Sequence, residues 1–296
     1  MKMKRLVTVA VCTIGTFLLI LDTKTAISSA ADAITLCLRA VIPSLFPFLV
    51  LSVIMNNALS GASIPLLRPI ARLCRIPAGT ESILLLGLIG GYPVGAAGIT
   101  QSYQAGTLSK KDSERMLSFC NNAGPAFIFG LLSPVLGSVR LCWALWLIHI
   151  LSAVLVGILM PGSSRDTAMA RNVQPLTVAQ AMKIGIKNMA TVCGWVILFR
   201  VIIGFMTHWF LWLLSPLLQA VICGIFELTN GCLTIVHIED LSPRFLCASA
   251  FLSFGGICVS MQTASVTGGL SLRKYYIGKV LQTVLSLILS VIFLAL

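Results

Sequence analysis

The chain has 296 residues, 57% of them hydrophobic and 10% charged, with a formal net charge of +12. Soluble domains carry about 25% charged residues, so these few charges cannot cover a water-facing surface and a soluble domain is excluded. The positive excess would suggest a nucleic-acid partner in a soluble chain; here it reports topology, because Lys and Arg collect in cytoplasmic loops of membrane proteins.

Met1-Lys2-Met3-Lys4-Arg5, followed by an apolar run to Leu21, resembles a secretory signal, with Ser28-Ser29-Ala30 as a conceivable cleavage site. Because further spans follow at once, 6–22 is read as an uncleaved first helix leaving the cytoplasm. The loop 22–33, holding Asp22, Lys24 and Asp32, is expected outside, and a helix over 33–56 returns toward Arg68, Arg72 and Arg75. The apolar stretch 82–104 is followed by Lys110, Lys111 and Arg115. With cytoplasmic charge on both sides it cannot be a simple crossing. It is predicted to be a re-entrant hairpin, broken at Gly90-Gly91-Tyr92-Pro93-Val94-Gly95, where glycine weakens a helix and proline removes a donor. Residues 116–136 cross outward and 139–160 return to a basic segment with Arg165, Arg171, Lys183 and Lys187. Residues 188–210 exit. The apolar run 213–236 ends at a loop with His237, Glu239, Asp240 and a single Arg244. That loop reads as outside, so 213–236 is a second hairpin, entered from the opposite face. Residues 245–268 come in, Arg273, Lys274 and Lys279 hold that end inside, and 276–296 exit.

The predicted fold is an all-α polytopic membrane protein with about seven transmembrane helices plus two re-entrant helical hairpins in an inverted repeat. Its parts are an N-terminal helix and loop (1–32), a first repeat (33–160) with hairpin 82–104, a basic cytoplasmic linker (161–187) and a second, inverted repeat (188–296) with hairpin 213–236. The competing arrangement is a set of plain helices. The third element of each repeat is also interrupted, at Asn121-Asn122-Ala123-Gly124-Pro125 and at Ser253-Phe254-Gly255-Gly256. Inverted repeats with paired Gly/Pro interruptions point to a secondary transporter. A broken helix leaves N–H and C=O groups that must face protein, water or a bound polar solute. Close packing of helices at glycine is the other use of such residues.

The candidate solute-binding residues lie at these breaks: Gly91, Tyr92, Pro93, Asn121, Asn122, Gly124, Glu227, Thr229, Asn230, Ser253, Gly255 and Gly256. Glu227 inside the second hairpin is the strongest, since a carboxylate at membrane depth is costly and marks a functional position by default. It would accept hydrogen bonds from a solute, bind a coupling ion, or cap the exposed N–H groups of the tip. Asn121 and Asn122 would grip a carboxylate or base edge, or cap the broken helix. Tyr92 would stack on an aromatic solute or anchor at the interface. Gln101, Tyr103 and Gln262 are further polar groups near the breaks. Arg39 and Arg200 sit within apolar spans; either would suit an anionic solute, with snorkelling as the alternative.

Ten cysteines lie mostly in or beside apolar runs without a CxxC pair, and His149, His208 and His237 are far apart, so metal-ligand spacing is absent. HExxH, GxSxG and Walker A patterns are missing too, so neither an enzyme nor an ATP motor is expected. The expected partners are the lipid bilayer and a small-molecule solute, with no nucleic acid and no resident cofactor; coupling to Na⁺ or H⁺ and a homo-oligomer are left open.

Gly-Gly-Tyr-Pro-Val-Gly-Ala (90–96), Ser-Phe-Cys-Asn-Asn-Ala-Gly-Pro (118–125), Phe-Glu-Leu-Thr-Asn-Gly (226–231), Ser-Phe-Gly-Gly-Ile-Cys-Val (253–259) and Pro-Ser-Leu-Phe-Pro-Phe (43–48) resemble the YlbJ-like sporulation integral membrane proteins. That group carries the nucleoside-recognition, or Gate, domain and is similar to the core of concentrative nucleoside transporters, with two hairpins and inverted repeats. The resemblance covers about residues 33–270. It implies a multi-pass protein of the cell membrane, or of a forespore membrane, moving a dipicolinate-like dicarboxylate or a nucleoside-like solute. It also implies that Glu227 is a solute or ion contact. The alternative is a membrane scaffold or assembly factor in spore formation that transports nothing.

Overall fold

The computed structural model describes residues 2–59, 62–162 and 175–296. Arg165 and Arg171 of the expected linker lie outside the described residues. Among the described residues there are helices and turns and no strand.

Helix α1 (Lys2–Leu21) is followed at once by α2 (Thr23–Ala58). The external loop expected over 22–33 is helix instead. Asp22 is its one non-helical residue, and the Asp22 carboxylate accepts from Thr25 N at 3.2 Å, capping the new helix. Ala26, Ser29 and Ala33 then form a buried small-residue face, spaced to lie on one side of the helix. A Cβ on Gly204 would run into Ser29, so the two backbones approach closely there.

After a short helix α3 (Arg68–Leu73) come α4 (Glu81–Ile89) and α5 (Val94–Gln104), packed against each other across the break at 90–93. At 1.5 Å per residue they are roughly 14 and 17 Å long, about half of a ~30 Å hydrocarbon core. Helix α6 (Lys110–Met116) unwinds into a non-helical segment, 117–124, before α7 (Pro125–Leu136) and α8 (Val139–Leu159). Helix α9 (Val178–Trp209) starts ten residues before the crossing expected at 188, closed by a capping box in which Thr177 and Gln180 exchange hydrogen bonds. Helices α10 (Pro216–Phe226) and α11 (Leu228–Thr234) pack together around Glu227. Helices α12 (Leu241–Phe254) and α13 (Gly256–Val266) meet at Gly255, and α14 (Arg273–Ala295) ends the chain.

Five helical stretches are long and apolar enough to cross a membrane: Thr23–Ala58, Val139–Leu159, Val178–Trp209, Leu241–Val266 and Arg273–Ala295. The two other expected crossings are shorter as apolar helices, Arg5–Leu21 and Pro125–Leu136. Polarity is arranged inside out: on α14, Ile277, Val280, Val284 and Ile288 are exposed while Gln282, Ser286 and Ser290 are buried. An apolar exterior around a polar interior suits lipid as solvent. The chain is a multi-pass membrane protein.

The element order long helix, short-helix hairpin, broken helix, long helix occurs twice, from α2 to α8 and from α9 to α14. Equivalent members pack on each other: α2 on α9, and α8 on α14.

Candidate solute-binding site

Breaks from the two halves lie side by side: a Cβ on Gly255 would lie 3.4 Å from Tyr92 Cζ. At the first hairpin tip Gly91 has φ +81°, a left-handed conformation that favours glycine. Gly124 faces it so closely that a Cβ there would lie 2.9 Å from the Gly91 nitrogen. Gly87 on α4 and Gly95 on α5 both abut the Cys120 backbone, with no room for a Cβ. The unwound segment is therefore laid directly into the first hairpin.

Buried in this way, its polar groups need partners. Asn122 donates to Gly87 O (3.0 Å) and Phe119 O (2.7 Å). Asn121 donates to Thr263 Oγ1 on α13 (3.0 Å) and accepts from Ala96 N (3.3 Å). His149 on α8 reaches both broken helices. Its Nε2 accepts from Ala123 N at 3.1 Å, which leaves the proton on Nδ1, 3.3 Å from Ser253 Oγ.

Glu227 is 2% exposed and sits between α10 and α11. One oxygen accepts from Thr229 N (2.9 Å), the other from Asn230 N and Asn230 Nδ2 (both 2.7 Å). The capping role weighed for this carboxylate is thus present. Gly255 and Gly256 take φ of +79° and +78°, so the chain turns sharply into α13; a Cβ on Gly256 would lie 3.0 Å from Gly224 O.

A cavity of about 660 Å³ opens beside these breaks. Of the residues singled out in the sequence, Gly91, Tyr92, Gly124, Glu227 and Thr229 line it, together with Arg39 and Gln262. Pro93, Asn121, Asn122, Asn230, Ser253, Gly255 and Gly256 do not; they build the frame behind it. The wall also includes parts of two π-helical turns, Cys37–Val41 in α2 and Ile128–Leu132 in α7, a distortion often found at functional positions. Arg200 lines no part of this cavity.

A second, more polar cavity of about 420 Å³ is lined by Ser52, Thr100, Gln101, Gln104, Lys187 and Asn188. Leu45 borders the first cavity and Leu49, Leu86 and Val94 border the second. All four join Met189 in one apolar cluster, which therefore borders both spaces.

Two cations counted as loop charges lie inside the protein. Arg115 is 1% exposed and donates to Cys74 O (2.8 Å) and Arg75 O, just beyond the C-terminus of α3, where a cation is favoured. Lys279 is also 1% exposed and bonds to the unwound segment. The readable signal was the polar stripe Lys279, Gln282, Ser286 and Ser290 at three- and four-residue spacing on an otherwise apolar helix.

The chain is 25% identical, over an alignment of 296 positions, to the sporulation integral membrane protein YlbJ of Bacillus subtilis (strain 168), covering 83% of this chain and 72% of that protein. No family model and no solved structure matches the chain.

Proposed function

We propose that the protein is a secondary transporter or facilitator that moves a small polar aromatic solute, a dipicolinate-like dicarboxylate or a nucleoside-like molecule, across a membrane of a sporulating cell. The observation that carries this reading is the meeting of both hairpin breaks and the first broken helix at one 660 Å³ cavity, within the range of small-molecule sites. Tyr92 offers a ring, Gln262 an amide and Arg39 a cation that among the described residues has no ion pair. Glu227 uses three of about four acceptor positions on its own tip, which leaves room for one donor from the solute.

In this reading the two repeats lie in opposite orientation in the bilayer. The solute passes between the larger and the smaller cavity when the apolar layer of Leu49, Leu86, Val94 and Met189 opens, as rocking of one repeat against the other would do. The sporulation setting rests on the name of the Bacillus relative. Uptake of labelled dipicolinate and of nucleosides into proteoliposomes tests the proposal. Saturable, competable uptake of one class supports it; none from folded protein in sealed vesicles shifts the reading to a non-transporting scaffold.

A further inference from the structure

Lys279 is a buried lysine that among the described residues has no ion-pair partner. Four oxygens surround its Nζ instead: Asn121 O at 2.6 Å, Gln282 Oε1 at 2.8 Å, Tyr92 Oη at 3.1 Å and Asn122 Oδ1 at 3.3 Å. Each of the three side-chain oxygens is turned oxygen-first by another bond. The Tyr92 hydroxyl donates its proton to Leu252 O. Gln282 Nε2 donates to Asn122 Oδ1 (3.0 Å) and His149 O (3.3 Å). Asn122 Nδ2 is held by Gly87 O and Phe119 O. The Tyr275 ring lies 5.9 Å from Nζ, within the range at which a ring favours a cation.

An unpaired charge taken out of water is costly. Oriented dipoles offset that cost here, and neutral oxygens arranged around a central positive charge are also how carbonyl groups hold a bound alkali cation. The cage joins three parts that a transport cycle has to hold in register: the tip of the first hairpin, the unwound segment and α14.

We propose that this cage is a monovalent-cation site filled by the chain itself, with the Lys279 ammonium as a tethered substitute for a free ion, so that Na⁺ has no place at this junction. The inference rests on the transport reading only for its bearing on coupling; the cage stands without it.

The test uses melting of the purified full-length chain in detergent at constant ionic strength, in Na⁺, K⁺, choline or methylammonium. Wild type is expected to melt at the same temperature in all four. Lys279→Met, which keeps the stem and loses the charge, is expected to melt several degrees lower in all of them. Lys279→Ala, which vacates the cage, is expected to fall similarly and to recover saturably in methylammonium or Na⁺ but not in choline. If Lys279→Ala yields no folded protein, the same comparison is made on the yield of monodisperse protein solubilised with and without methylammonium. Saturable stabilisation of wild type by Na⁺, a Lys279→Met variant as stable as wild type, or a Lys279→Ala variant that no cation restores would each overturn the proposal. None of these readouts involves a transported solute, so failure here leaves the transport reading standing, and absent uptake leaves the cage standing.

Discussion

The Tyr92 hydroxyl donates a 3.0 Å hydrogen bond to the Leu252 carbonyl, fastening the tip of the first hairpin to the last turn of α12. The last carbonyls of a helix have no partner within it, so this bond satisfies one that the break at Gly255 leaves open. Tyr92→Phe keeps the ring at the cavity wall and removes this donor together with the oxygen that accepts from Lys279 Nζ. It is expected to destabilise the protein by about 1–3 kcal/mol, the usual cost of a buried group left unpaired, read as a lower melting temperature in detergent. An unchanged melting temperature would mean that the link contributes nothing.

Gly87 and Gly95 hold the unwound segment against the first hairpin by having no side chain where Cys120 passes. Gly87→Ala and Gly95→Ala each place a methyl on backbone that cannot move aside, and overpacking of this kind costs about 1–3 kcal/mol or more. Both are expected to give little monodisperse protein. Gly194→Ala, at a position with nothing within 4 Å of the added carbon, is expected to express as wild type.

Glu227 caps α11 through both oxygens. In Glu227→Gln one of those positions becomes a donor facing donors, so a loss of about 1–2 kcal/mol is expected from the cap alone. If the carboxylate also meets the solute, the ligand-induced rise in melting temperature falls by more than this stability loss explains. A lowered baseline with an unaltered ligand response would confine Glu227 to the cap.

The two cavities predict sided access. Single cysteines at Ser44, on the larger cavity, and at Gln104, on the smaller, in a background lacking the native cysteines, are expected to react with a membrane-impermeant thiol reagent from opposite faces of sealed vesicles. Labelling of both from one face would contradict the placement of the apolar layer between them.

Three interruptions, at Gly90–Pro93, 121–124 and Gly255, could be read from Gly, Pro and Asn in apolar runs, because such residues weaken a helix and the helices are broken there; the second hairpin was read from the charges of the loop that follows it, and its helices stop at Glu227 while Gly224, Asn230 and Gly231 stay helical. What surrounds each break could not be read that way. By residue type Asn121 and Asn122 read as solute ligands, with capping as the alternative, and only the positions of Thr263, Gly87 and Phe119 place their side chains in the frame. Lys279 was hidden by its neighbours: beside Arg273 and Lys274 it reads as one more loop charge, although it lies about one and a half helical turns deeper. The loop expected at 22–33 came from charge balance alone, which does not register that Ala26, Ser29 and Ala33 make a packing face.

The central claim is that the cavity between the two hairpins binds the solute. Its most direct test is thermal stabilisation of the purified protein by dipicolinate, related pyridine carboxylates and a set of nucleosides, with Arg39→Ala and Glu227→Gln measured alongside. A ligand that binds only the folded form raises the melting temperature by mass action. The account predicts a saturable rise with one ligand class, reduced in Arg39→Ala for an anionic ligand or in Glu227→Gln for one that donates hydrogen bonds. No shift with any ligand at millimolar concentration in well-folded protein, or a shift that both variants leave unchanged, would contradict it.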